Sequence, residues 1–162
     1  MLFAAFTSAL VVRRGLGDDW TGIPLPAILW WNTAALVVSS VALELAQRAL
    51  RGGLRQSFNI FWSVGTALGL VFLGGQYLAW LQLQAAGVYV ATTPGSSFFY
   101  VMTVAHAVHL AGGVCALMYI EIQALRLQLG PGKRTAVEVS RIYWHFMAGL
   151  WIYLMLLFRF WG

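Results

Sequence analysis

The sequence predicts an all-α protein that crosses a membrane several times, and three observations support that prediction. Of its 162 residues, 60% are hydrophobic and only 9% are charged, whereas soluble domains carry about 25% charged residues. The apolar residues form runs long enough to cross a hydrocarbon core of about 30 Å as helices. The runs also lack the strict alternation of barrel strands. A helix bundle is then the remaining way to satisfy the backbone inside lipid.

The apolar runs define five helices of a single transmembrane domain, residues 1–162. The first run ends at Arg13 and Arg14 and makes only about 18 Å of helix, so we interpret it as the truncated end of a first span. A cleaved signal peptide is the alternative, but no basic segment precedes the apolar run. The predicted spans are about 1–12, 28–47, 58–81, 97–125 and 137–161.

The second and third spans carry signals for side-chain pairing and close helix packing. Glu44 and Arg48 are four residues apart, in the favourable order for an ion pair on one helix. The third span has no charged residue and contains Gly65-x-x-x-Gly69. That spacing lets helix backbones approach each other closely in a membrane.

The fourth span contains the candidates for metal chemistry. His106 and His109 are three residues apart and share a helical face, and imidazoles bind zinc, copper and haem iron. A metalloenzyme using these two and His145 is therefore one hypothesis. The pair lacks an adjacent Asp, Glu or Cys, so we expect structural imidazoles instead, with His109 and His145 close enough in depth to share a polar network. The intramembrane polar residues to which we assign a structural role, without metal or catalysis, are His106, His109, His145, Asn32 and Gln76.

A small transporter is a further hypothesis from a different class. A proton relay through the membrane requires acidic residues deep in the bundle. Glu44 and Glu121 both lie near the ends of their spans, which argues against this hypothesis.

Basic residues lie mainly in the second and fourth loops, whereas the third loop has no Lys or Arg. In the first loop, Asp18 and Asp19 counter the two arginines. The positive-inside rule then places loops two and four and the N-terminus in the cytoplasm. Because the basic residues lie in the loops that set the orientation, the net charge of +5 does not indicate a surface that binds nucleic acid. The basic rim also predicts contacts with phospholipid headgroups by Arg48, Arg51, Arg55, Arg126, Arg134 and Arg141.

Three motifs occur together, and their combination is more specific than any one of them. The fourth span reads FY-x-x-T-x-x-H-x-x-H-x-x-G-G from Phe99 to Gly113, and the fifth reads YWHF followed by Trp151. A Trp-x-Asn-Thr pattern opens the second span, and Phe72 with Gln76 fits as well. Over essentially the whole chain, these motifs resemble subunit III of the haem-copper oxidases in a five-helix bacterial form.

The resemblance implies a non-catalytic subunit of a respiratory terminal oxidase in a bacterial inner membrane. Such a subunit carries no redox cofactor, because haem and copper lie in partner subunits. It packs beside oxidase subunit I and other oxidase subunits, binds phospholipid, and supports assembly, turnover and proton uptake during aerobic electron transport. The alternative within the family is an accessory subunit of a nitric oxide reductase.

The chain departs from the family pattern at two points. The family usually has Asp in the last motif, where this chain has Ala148. The family also has a membrane-buried glutamate just upstream of the point that matches Met1, so the carboxylate associated with proton uptake in relatives is assigned to no residue here.

Overall fold

The computed structural model describes residues 1–16, 26–90, 92–126 and 133–161. Within these ranges the chain forms five α-helices and no strand, which confirms the predicted all-α bundle. The helices are α1 (Leu2–Gly15), α2 (Ile28–Arg51), α3 (Arg55–Ala85), α4 (Pro94–Leu125) and α5 (Lys133–Trp161). Outside the described ranges lie Asp18 and Asp19 of the first predicted loop and residues 127–132 of the fourth.

The helices α2 to α5 extend beyond the predicted spans, because hydropathy marks only the part of a helix that lies in hydrocarbon. α2 continues past Gln47 to Arg51, so its last turn carries charged side chains at headgroup level. α4 begins three residues earlier than predicted, at Pro94. There, Thr93 Oγ1 accepts a hydrogen bond from the Ser96 backbone N–H (3.1 Å), and Ser96 Oγ accepts one from the Thr93 N–H (3.0 Å). This capping box, with proline at the first helical position, fixes the start of the helix.

The first helix, α1, is shorter than the others and packs against α4. Its 14 residues rise about 21 Å, and Leu10 is fully buried. Tyr153 Oη of α5 donates a hydrogen bond to Thr7 Oγ1 at 3.0 Å. In the described part of the chain, the other four helices are long and apolar enough to cross a membrane.

The four long helices form a ring in which α2 and α4 each pack against both α3 and α5. Two contacts show which helix ends meet at one end of this ring: the end of α2 with the start of α5, and the start of α3 with the end of α4. Arg51 of α2 pairs with Glu138 of α5 (3.2 Å), and Arg55 of α3 donates to the carbonyl of Ala124 in α4 (3.0 Å). We call this end of the bundle the basic end.

The α2–α3 interface is close because glycines of α3 meet side chains of α2. Ser39 Oγ donates to the Gly65 carbonyl at 2.7 Å, and a Cβ at Gly65 would lie 2.7 Å from a Leu43 methyl carbon. Gly69 instead faces α5, where a Cβ would lie 2.6 Å from the indole of Trp144. The predicted Gly65-x-x-x-Gly69 motif therefore packs against two different helices.

Candidate functional site

The main polar cluster of the described chain lies between α2 and α5, and Glu44 is at its centre. The Glu44 carboxylate pairs with Arg48 of the same helix (3.2 Å) and with Arg141 of α5. His145 Nε2 lies 3.6 Å from the same carboxylate, and His145 Nδ1 is hydrogen-bonded to Ser40 Oγ. One carboxylate thus joins two arginines and an imidazole across the interface.

Helical spacing explains why these side chains meet. Ser40, Glu44 and Arg48 follow one another at four-residue intervals on α2, and Arg141 and His145 do so on α5. Each helix therefore presents one polar stripe, and the two stripes face each other near the basic end. Pairing is the usual way to hold charged groups within a membrane protein.

A second ion pair lies nearer the basic end and borders a small pocket. Arg51 Nη2 is 3.2 Å from Glu138 Oε1, with both side chains largely exposed. These residues, together with Gln47, Leu50, Arg134 and Thr135, line a pocket of about 230 Å³ between the end of α2 and the start of α5. Gln47 is only 6% exposed, and its Oε1 has no hydrogen-bond partner in the described part of the chain.

An apolar groove follows along the same two helices, farther from the basic end. It measures about 400 Å³, and the Ser40–His145–Glu44 group forms its polar side. Its apolar walls are Val37, Val41, Ala148, Gly149 and Ile152. Ala148 therefore lines a groove at the position where the resembling family usually has Asp.

The other predicted acid, Glu121, belongs to a separate group between α3 and α4. Ser63 Oγ donates to Glu121 Oε1 at 2.6 Å. Nearby, Trp62 Nε1 donates to the Leu117 carbonyl at 3.0 Å. Both bonds connect α3 to α4, so Glu121 contributes to helix packing.

The three histidines lie in three different surroundings. His106 is fully buried, with its ring 5.2 Å from that of Trp151 and 6.0 Å from that of Phe72, and neither of its nitrogens has a hydrogen-bond partner in the described residues. His109 is exposed on α4, and its Nδ1 lies 2.7 Å from the Ala105 carbonyl of its own helix. The structure thus gives His109 and His145 separate partners rather than the shared network that depth alone suggested.

Asn32 and Gln76 are both buried, as expected for polar residues inside a bundle. A Cβ at Gly75 would lie 2.0 Å from Asn32 Oδ1, which places Asn32 at the α2–α3 contact. Asn32 Nδ2 and both amide atoms of Gln76 have no hydrogen-bond partner among the described residues.

No group of three or more His, Cys, Asp or Glu side chains is arranged to hold a metal ion in the part of the chain that the structure describes. The geometry therefore does not assemble the three-histidine site of the metalloenzyme hypothesis. What it assembles is an ion-paired, hydrogen-bonded helix bundle.

Comparison with known proteins identifies the family. The family model described as cytochrome c oxidase subunit III matches residues 1–162, the whole chain. The chain belongs to the cytochrome c oxidase subunit III family. It is 30% identical to cytochrome c oxidase subunit 3 of Thermostichus vulcanus over 168 residues, covering 97% of this chain and 79% of that protein. The probable cytochrome c oxidase subunit 3 of Mycobacterium bovis is 30% identical over 154 residues, which cover 93% and 74% of the two chains.

The chain is therefore a multi-pass membrane protein and belongs to a multi-subunit oxidase. The family match also confirms the predicted role as subunit III of a haem-copper oxidase. The sequence motifs of subunit III led to His106, His109 and His145. They did not indicate that Glu44 pairs with Arg141, or that Ser40 pairs with His145. The four-residue spacing places Ser40 and Glu44 on one face of α2, and Arg141 and His145 on one face of α5, but it does not indicate that these two faces meet.

Proposed function

We propose that this chain is a structural subunit that packs beside the catalytic subunit I of its oxidase, in a bacterial inner membrane, and supports assembly and sustained proton uptake. The observation that carries this proposal is the family match over the whole chain. Haem and copper then belong to partner subunits, and His106, His109 and His145 serve the packing of this chain. The relatives carry the oxidase name, which favours the oxidase over the nitric oxide reductase alternative.

The proposed orientation places the basic end of the bundle in the cytoplasm. Support comes from the contacts Arg51–Glu138 and Arg55–Ala124, which bring together the helix ends that flank the two basic loops. The positive-inside rule assigns such an end to the cytoplasmic side. Cysteines introduced in loops two and three should react with membrane-impermeant reagents from opposite sides. Reaction from the same side would contradict the orientation.

Phospholipid binding is the second part of the proposed function. Among the six predicted arginines, Arg48, Arg51 and Arg141 pair with carboxylates, and Arg55 binds a carbonyl. The exposed Arg126 and Arg134 remain the stronger candidates for anionic headgroups. The apolar walls of the groove beside these arginines are formed by valine, isoleucine, alanine and glycine.

Co-purification tests the central claim. A tag on this chain should bring down a subunit with a haem spectrum and oxygen-reducing activity, and removal of this chain should make turnover decline faster without abolishing the haem spectrum. Recovery of this chain without a haem protein would contradict the proposal. Nitric oxide reduction without oxygen reduction in the same preparation would assign the subunit to the alternative complex.

A further inference from the structure

The apolar groove between α2 and α5 has one polar side and otherwise apolar walls. Its volume of about 400 Å³ lies in the range of about 300–1,000 Å³ that is typical of small-molecule sites. The polar side is near the basic end, because α2 rises only about 10 Å from Glu44 to Arg51. In the opposite direction, the apolar walls continue for about 10 Å from Glu44 to Val37. The groove therefore suits a ligand with a small polar head and an apolar tail.

His145 places a hydrogen-bond donor on the polar side of the groove. Its Nδ1 is hydrogen-bonded to Ser40 Oγ, and its Nε2 faces the Glu44 carboxylate at 3.6 Å. A ring nitrogen that faces a carboxylate carries the proton, since a lone pair there would be repelled. In this tautomer, Ser40 donates to Nδ1. The contact of Nε2 with Glu44 is longer than a well-formed hydrogen bond, so the N–H group can still donate to a ligand.

Glu44 supplies an acceptor beside that donor. Its carboxylate has about four lone-pair sites, and the described side chains that bond it are those of Arg48 and Arg141. A hydroxyl oxygen set against both groups can accept from His145 Nε2–H and donate to Glu44. An ester carbonyl or an ether can only accept, and a phosphate would bring a negative charge against the carboxylate. The polar side therefore favours a hydroxyl group.

The apolar walls next to this pair of groups leave room for a flat ring. On α5, Ala148 and Gly149 line the groove, and a Cβ added at Gly149 would meet no heavy atom within 4 Å. Val37 and Val41 line it on α2, and Ile152 extends the apolar wall. A phenolic hydroxyl, with a pKa of about 10, is a stronger donor to a carboxylate than an aliphatic alcohol. The groove thus matches a phenol that carries a long apolar tail.

We infer that the groove between α2 and α5 binds the reduced, hydroquinone form of an isoprenoid quinone. One phenolic oxygen lies between His145 Nε2 and the Glu44 carboxylate, the ring lies beside Gly149, and the tail runs towards Ile152. The oxidised form has only carbonyl acceptors and cannot donate to Glu44, so the site distinguishes the two forms. This inference rests on the proposed function, which places the chain in a respiratory membrane.

The test uses the oxidase complex that contains this chain, inhibited with cyanide and kept under argon. Two probes are titrated: a hydroquinone with a decyl tail, and its dimethyl ether, which keeps the ring and tail but has no O–H group. Native mass spectrometry measures the probe retained on this chain. The hydroquinone should bind about tenfold more tightly, through its charge-assisted bond. Equal binding of the ether, or displacement of the hydroquinone by equimolar phosphatidylcholine, would overturn the inference.

Paired variants locate the probe. Glu44→Gln supplies an amide that both donates and accepts, so the preference for the hydroquinone over the ether should disappear. Glu138→Gln removes a carboxylate outside the groove and should keep that preference. Gly149→Leu fills the slot and should abolish binding of both probes, whereas Gly74→Leu, at a glycine that is equally open on α3, should not. Unchanged binding in Gly149→Leu would refute the site even if Glu44→Gln fails to assemble.

The same spectra separate failure of this inference from failure of the proposed function. If this chain is absent from a haem-containing complex, the proposed function fails. If the chain is present and the hydroquinone is bound no better than its ether, only the quinol site fails.

Discussion

The two interfaces of α2 differ in how they hold neighbouring helices together. Towards α3, the contact is dry and close: Leu43 packs on Gly65, and the Ser39 hydroxyl binds a backbone carbonyl of the other helix. Towards α5, the contact near the basic end is made by Glu44 and Arg141, and a groove remains beside it. One helix therefore uses one face for van der Waals packing and another for ionic contacts.

This difference follows from the driving forces available in a membrane. Lipid tails are as apolar as leucine, so apolar side chains gain little by meeting each other unless the helices fit closely. Glycines permit that fit between α2 and α3. Between α2 and α5, charged side chains are long and keep the helices farther apart, and their mutual pairing holds the interface. We therefore expect the glycine interfaces to tolerate added side-chain volume poorly and the groove between α2 and α5 to tolerate it well.

The largest loss of stability should come from added side-chain volume at Gly69. In Gly69→Leu, even the first carbon would lie 2.6 Å from the indole of Trp144, which is fully buried. Overpacking of this kind costs about 1–3 kcal/mol and occasionally more. Thermal unfolding in detergent should show a clear loss of stability. Gly74→Leu is the control, because a Cβ at Gly74 would meet no heavy atom within 4 Å. An equal loss of stability in both variants would show that the close contact of Gly69 with Trp144 is not the cause.

A smaller loss of stability should come from removal of the Glu44 charge at the centre of the polar cluster between α2 and α5. Glu44→Gln leaves Arg141, whose side chain is only 17% exposed, beside His145 without a carboxylate. Breaking a fully buried pair costs 3–5 kcal/mol, and partial exposure reduces this to about 1–2 kcal/mol. The exposed Arg51–Glu138 pair provides the comparison, and Glu138→Gln should cost less than about 1 kcal/mol. A larger loss in Glu138→Gln would reverse our ranking of the two pairs.

Sequence reasoning succeeded where a local pattern determines the structure. Hydropathy located all five helices, and the four-residue spacing of Glu44 and Arg48 correctly suggested their pair. The start of α4 was placed too late, because the Thr93–Ser96 capping box lies outside the apolar run. An N-cap search before Pro94 would have found it.

Contacts between helices required information that one helix does not contain. The sequence spacing of Gly65 and Gly69 indicated a close approach but not that the two glycines face different helices. Depth arguments placed His109 and His145 at similar levels, but depth says nothing about rotation around the helix axis. That rotation turns His109 to the surface and His145 towards Ser40.

The smallest loss of stability should come from a substitution of His109 on α4, which takes part in neither interface of α2. His109 is exposed, its ring bonds only the Ala105 carbonyl of its own helix among the described residues, and the Phe3 ring lies 5.7 Å away. Interhelical hydrogen bonds in membranes average about 0.6 kcal/mol, and this bond does not even join two helices. His109→Leu should therefore change stability by less than about 1 kcal/mol and leave the haem spectrum of the complex unchanged. A lost haem or metal signal in this variant, with assembly intact, would show that His109 is a ligand.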